Sequence, residues 1–197
     1  MADWIGGNRY LSRVEMENNA LLFYGFMSNR GATLNAVAAM LGNIQTESTV
    51  NPNIWEGFVV DPSRGYGLTQ WTPSTKLSSW NPNYTSGTVQ CERIWWEALN
   101  NQQWFHNPGA PSYEPPITFM QFMHSTGNVR TLANYFLWYY EHPADPIQPT
   151  RAEQAAQWYE FLSGAVPPEP PGPPGPGPTP GVIKVKPMNF IYSMRKL

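Results

Sequence analysis

Residues 33–48 read TLNAVAAMLGNIQTES, and this run constrains what can form around it. Leu34, Val37, Ala38, Met40, Leu41 and Ile44 are nearly continuous in small and apolar character. That pattern predicts a central helix packed on most of its sides. Thr33 supplies the capping hydroxyl at its start. The helix must end near Glu47-Ser48, because Asn51-Pro52 disfavours helical backbone just beyond. Glu47 is thus a lone carboxylate at the end of an apolar helix. It leads into residues 54–71, where Gly57, Pro62, Gly65 and Gly67 rule out a long helix. Phe58-Val59-Val60 and residues 66–71 read instead as two short strands about a turn at 61–65.

The flanking segments supply helices to cover the central one. Ser12 and Glu15 form a capping box, predicting a helix over 13–28 with Val14, Leu21, Leu22 and Phe26 on one face, ended by Asn29-Arg30-Gly31. Thr72-Pro73 opens a short helix reaching about Trp80. Residues 88–102 form another, with Ile94, Trp95, Ala98 and Leu99 on its apolar side, and 117–125 a short one. Asn128 caps a helix to about Glu141, striped by Leu132, Tyr135, Phe136 and Tyr139. A second capping box, Thr150 with Glu153, starts a last helix that ends at Gly164. Residues 1–164 therefore read as one α+β domain, mostly helical with a small β-hairpin after the central helix.

Beyond it the composition changes. Residues 167–180 hold nine prolines and three glycines, so 165–181 reads as an extended Pro/Gly-rich linker. At ~3.1 Å per residue the stretch 167–180 spans about 43 Å. Residues 182–197 form a short basic tail, read as a docking strand, a wall- or partner-binding tail, or a disordered terminus.

Charge and cysteine usage narrow the function classes. The domain carries eight basic and thirteen acidic residues, a balance that argues against nucleic acid as ligand. Cys91 stands alone and is expected to be a buried apolar residue. The three histidines lie far apart in sequence, with no zinc spacing, so neither metal nor cofactor is expected. The first residues lack a basic segment followed by an apolar run, so no signal peptide is read. Nothing approaches the ~20 apolar residues of a membrane span. All nine tryptophans lie in the domain, and flat rings with few charges suit a sugar groove as well as a core.

Glycoside cleavage needs a carboxylic acid still protonated near neutral pH. Glu47 is the candidate. A helix C-terminus disfavours a further negative charge, and Trp55, Phe58, Tyr66 and Trp71 are placed to desolvate it. The bland alternative is a helix-end Glu bonded to loop amides. For a second group the excursion offers Glu56 and Asp61. Asp61, near the turn, is the better candidate, and stabilising that turn is its other reading. Tyr140-Glu141 with Arg151 reads as a structural ion pair at a helix junction.

Glu47-Ser48 followed by Gly67-Leu68-Thr69-Gln70 is similar to the motif pair of lysozyme-like lytic transglycosylases and goose-type lysozymes. MLGNIQTESTVNP, YGLTQWTP and YYEHPADPIQPTRAEQAAQWYEFLSG together resemble the phage tail lysozyme family over roughly residues 8–164. The resemblance implies a lysozyme-like fold and cleavage of the β-1,4 bond between N-acetylmuramic acid and N-acetylglucosamine in bacterial peptidoglycan. It implies Glu47 as general acid, Gln70 as a substrate-positioning amide, and Tyr66, Trp55 and Trp71 as groove rings. The block at 139–158, with Tyr140, would supply the far wall. With Asp61 in reach the enzyme is a hydrolase. Without it, attack by the sugar's own 6-hydroxyl gives the transglycosylase outcome. A non-catalytic glycan-binding module is the reading from another class. The implied setting is a virion tail, or host cytoplasm before lysis. The basic tail is then a candidate attachment to other virion tail proteins. Larger members of the family carry a peptide-cleaving domain, but no zinc-ligand set follows residue 164, so glycan cutting alone is expected.

Overall fold

A computed structural model describes residues 3–165 of the chain. The expectations for the linker and the basic tail concern residues outside these, Ala165 apart. Helix α1 (Arg13–Ser28) opens on the expected capping box: the Ser12 amide donates to Glu15 Oε2 at 2.8 Å, and the Glu15 amide reaches Ser12 Oγ. Arg9 adds a 2.6 Å ion pair that, with the Ser12 bonds, brings the Glu15 carboxyl down to about 2. The buried face of α1 is rotated from the expected one. Ala20, Phe23 and Met27 are fully covered, whereas Val14 is exposed.

Helix α2 (Leu34–Ser48) is the centre of the molecule. Thr33 caps it by accepting from the Ala36 amide, and every residue from Ala36 to Ile44 is buried. Helices α6 (Val129–Phe136) and α7 (Pro149–Ser163) pack on it, with α1, α4 (Gly87–Leu99) and α5 (Phe119–Met123) around them. Short α3 (Thr75–Ser78) begins after Thr72-Pro73 rather than at it. The last helix starts on Pro149 at its first position, with Gln148 as cap, so Thr150 does not serve as the cap. Glu153 is engaged elsewhere, by Arg130 at 2.8 Å.

Gly42 sets how closely α7 approaches α2. A Cβ there would lie 2.5 Å from the Arg151 carbonyl oxygen and 2.6 Å from the Ala155 nitrogen. Only a residue without a side chain lets the two backbones meet at this point. The rest of the interior is a conventional apolar core in which Trp158, Tyr139, Phe23, Phe119, Phe122 and Phe136 are fully enclosed. Each such side chain contributes roughly 1.5–3 kcal/mol through burial. Cys91 is buried, as expected.

The hairpin does not form. Among the described residues the excursion holds only isolated bridges, Trp55 with Tyr66 and Tyr66 with Trp71. Gly57 and Phe58 take left-handed backbone within a short turn, Glu56–Phe58, which breaks the extended run. Val59 and Val60 are left exposed and make no strand pairing. The fold is accordingly almost all helical, with a looped excursion where strands were expected.

Candidate active site

The end of α2 and the excursion enclose an open cleft of about 510 Å³. Its floor carries Glu47. Ser48 is buried and ties the helix end to the Gly-Leu-Thr-Gln loop, its hydroxyl 2.8 Å from the Leu68 carbonyl oxygen. Thr49 and Val50 then turn sharply, both with φ of 56°. That is a rare conformation for a β-branched residue, and Asn19 holds it by donating to the Val50 carbonyl at 2.9 Å. On the other side Gly67, at φ 80°, leaves room for Gln90, which accepts from the Leu68 amide at 2.8 Å. The same side chain donates to the Pro52 carbonyl at 2.7 Å. The loop facing Glu47 is thus fixed by Ser48 from one side and Gln90 from the other.

The residues singled out from sequence divide into three groups. Glu47, Trp55 and Gln70 line the cleft, beside Tyr10, Glu56, Phe58 and Thr69. The Gln70 amide is partly committed, donating to the Gly67 carbonyl at 2.9 Å and the Ile54 carbonyl at 3.2 Å. Tyr66, Trp71 and Tyr140 lie in the core at 2–3% exposure and do not line the cleft. The Trp71 indole and the Tyr140 hydroxyl donate to buried Glu97, at 3.2 and 2.6 Å, and Arg93 donates to it at 2.8 Å. Even so supported, burial holds the Glu97 carboxyl above its usual range. Asp61 forms the third group. It accepts from the Ser63 amide and hydroxyl, both at 2.8 Å, which lowers its carboxyl, and it is not among the cleft-lining residues.

Arg151 has a different partner from the one expected. Its Nη2 meets Glu47 Oε1 at 2.6 Å, and its Nε donates to Gln148 at 2.7 Å. This guanidinium is itself buried. Glu141 makes no ion pair among the described residues. Its Oε1 is buried without a hydrogen-bond partner, yet the residue lines the cleft with Glu47. Burial, followed by the nearby charge of Glu47, pushes its carboxyl well above the ordinary range, against the opposing effect of Arg151. The cleft therefore brings together one carboxyl bound by arginine and one whose ionisation its surroundings disfavour.

Sequence reasoning missed Glu141 as a cleft residue because of local backbone. After α6 the chain continues as a π-helical turn, Leu137–Glu141, and His142 closes it in the left-handed region. Such a turn shifts every later side chain off the 3.6-residue register. The available signal was akin to the one that marked Glu47: an acid closing an apolar helix, here an aromatic one that ends two residues before Pro143.

Comparison with known proteins adds the lineage. The family model described as phage tail lysozyme matches residues 18–162. Morphogenesis protein 1 of Bacillus phage B103 is 42% identical over 162 residues, covering 80% of this chain and 42% of that protein. The chain thus spans less than half the length of that relative. The family match runs from within α1 to the last turns of α7 and takes in Glu47, Gly67 to Gln70, Glu141 and Arg151, so the chain belongs to the phage tail lysozyme family.

Proposed function

We propose that the protein is an N-acetylmuramidase that hydrolyses the β-1,4 bond between N-acetylmuramic acid and N-acetylglucosamine in peptidoglycan. Glu47 is the carboxyl around which the site is built. The observation that carries this reading is its setting: the end of the central helix, on the floor of an open cleft rimmed by Tyr10, Trp55 and Phe58. Rings and a few polar groups at the lip suit stacking on sugar faces and orienting their hydroxyls. A strand of sugars bound at Glu47 would lie across this open cleft. The relative's name, a morphogenesis protein of a phage, supports a place in the virion, with local wall penetration or lysis as the task. Attachment to other tail proteins through residues 182–197 belongs to the same proposal.

Digestion of purified peptidoglycan, followed by product mass, tests the reaction. Hydrolysis adds one water and leaves a reducing muramic end. An anhydro end, lighter by that water, would show the transglycosylase reaction instead. Glu47→Gln is expected to lower turnover by about 10²–10⁴, the usual contribution of an acid–base group, with folding and glycan binding retained. Undiminished digestion by this variant would leave a glycan-binding role for the cleft and remove the catalytic one from Glu47.

A further inference from the structure

We propose that the connection between α4 and α5 forms a second saccharide site, which holds sugars of the same glycan strand that the cleft holds at Glu47. The proposal rests on the muramidase reading and extends the contact with its substrate. Residues 101–118 enclose a hollow of about 340 Å³, with Trp104, Phe105, His106, Glu114 and Thr118 in its lining. That size falls within the roughly 300–1,000 Å³ of ligand sites. Two large rings stand open there. Phe105 is 47% exposed, and Tyr113, stacked on His106 at 4.6 Å, is 53% exposed, while neighbouring Trp104 is buried.

This exposure is built into the loop. The Trp104 indole donates to the Ile117 carbonyl at 2.9 Å, and the Asn107 side chain donates to the Trp138 carbonyl at 2.7 Å. The Tyr139 hydroxyl donates to the Ser112 carbonyl at 2.7 Å. Buried Trp104, Asn107 and Tyr139 thus fix a loop whose outer rings have no apolar cover. A ring held in place before binding loses little freedom when a ligand stacks on it. Flat exposed rings beside a few polar groups, here His106 and Glu114, suit a sugar. The ring takes its C–H face, and the polar groups take its hydroxyls.

The hollow is joined to the cleft through His142. That residue stands between Glu141 and Pro143, which both line the cleft, and its ring stacks on Phe105 at 4.2 Å. Its ring nitrogens lie 3.1 Å from the Tyr140 carbonyl oxygen and 3.4 Å from that of Phe105. Burial foremost keeps the imidazole below its ordinary range, so at neutral pH it is an uncharged ring. A strand that lies at Glu47 and leaves the cleft over Pro143 therefore meets His142 and then Phe105. Glycan is a repeat of such sugars, so the occupant of the hollow is more of the chain already held in the cleft. Once the cleft is filled the second contact is intramolecular, and only strands long enough to reach both places gain from it.

Strand length is thus the readout. Glycan freed of its stem peptides is fractionated into pieces of about four and about twelve sugars, and wild type should show the lower KM for the longer. Phe105→Ala should raise KM for the long strands about three- to tenfold and leave their kcat, and both constants for the short ones, within about twofold. Phe105→Tyr, which keeps a flat face, should restore the preference for length. An equal rise for long and short strands, or no rise for either, overturns the second site. A rise confined to strands that still bear stem peptides places peptide in the hollow and overturns the sugar assignment. Should Phe105→Ala fail to fold, exposed His106→Ala takes its place. Calorimetric binding of the same strands to Glu47→Gln, with and without Phe105→Ala, keeps the two readings apart. Wild-type protein that releases no glycan fragments sinks the muramidase reading, whereas tighter binding of long strands that disappears with Phe105 still upholds the second site.

Discussion

A carboxyl whose ionisation its surroundings disfavour destabilises the fold whenever solution pH would ionise it in the unfolded chain. Glu141 is such a group, raised by burial first and by Glu47 second. Its stabilising contribution is fully present below the unfolded Glu value, about 4.3. Above that, the unfolded chain sheds a proton that the folded chain retains, so stability falls with rising pH until the folded carboxyl also ionises. Glutamine carries the same shape without the proton. Glu141→Gln should therefore raise the melting temperature at pH 7 to 8 and change it little near pH 4. The gain expected is about 0.5–2 kcal/mol, the usual size of a stabilising substitution. Scanning calorimetry of both proteins across that range checks this, and an equal shift at both pH values would mean that ionisation of Glu141 is not its source. Glu97 has the same sign of shift but a different fate, since Tyr140, Trp71 and Arg93 all bond to it. Neutralising it would weaken three charge-assisted bonds rather than relieve one unpartnered carboxyl.

At the scale of elements, the cleft depends on how α2 and α7 meet, because one helix carries Glu47 and the other Arg151. Gly42→Ala tests that contact. The added Cβ would sit 2.5 Å from a backbone oxygen and 2.6 Å from a backbone nitrogen, neither of which can rotate away. Overpacking of this kind costs about 1–3 kcal/mol, and separation of the helices would draw Arg151 off Glu47. A fall of several degrees in melting temperature, with lowered turnover, is expected. A melting temperature within a degree of wild type would mean that the helices slide freely past the methyl group. The element-scale features were the most legible in sequence. The α2 run, its Thr33 cap and the Ser12–Glu15 box stand where their local chemistry put them, and Ser48 bonds the Gly-Leu-Thr-Gln loop that the family resemblance paired with it. Local chemistry did not reveal which aromatic rings face inward. Tyr66, Trp71 and Tyr140 are groove rings by the family resemblance and core by packing, because each has a polar partner that only the tertiary fold supplies. The expected hairpin failed for a related reason. Left-handed Gly57 and Phe58 turn the chain before Val59 and Val60 can pair.

Over the whole molecule, the cleft is closed on one side by chain that precedes the family match. Residues 3–11 run as a strap across the base of α1 and α2. Asn19 pairs with both backbone groups of Ile5, and Asn51 donates to the carbonyls of Gly7 and Arg9, each at 2.7 Å. Asn8 then fastens the strap to the lip of the cleft. It accepts from the Trp55 amide at 3.0 Å and donates to the Phe58 carbonyl at 2.8 Å. Tyr10, the strap's own cleft residue, meets Phe58 edge-on at 4.9 Å. Trp55 also packs on buried Tyr66 at 4.7 Å, whereas the exposed Phe58 is tied to the strap through this one asparagine and Tyr10. Asn8→Ala removes both bonds and touches nothing in the apolar interior. Each bond is worth about 0.5–1.5 kcal/mol net, and near the surface most of that loss falls on the ordering of the lip. The expected result is a rise of about two- to tenfold in KM for soluble glycan fragments, with kcat near wild type and melting lowered by only about 2–4 °C. Such a split follows if the strap shapes binding while Glu47 does the chemistry. A fall in kcat at unchanged KM would instead mean that the strap acts on Glu47 itself, and the lip would lose its place in substrate binding.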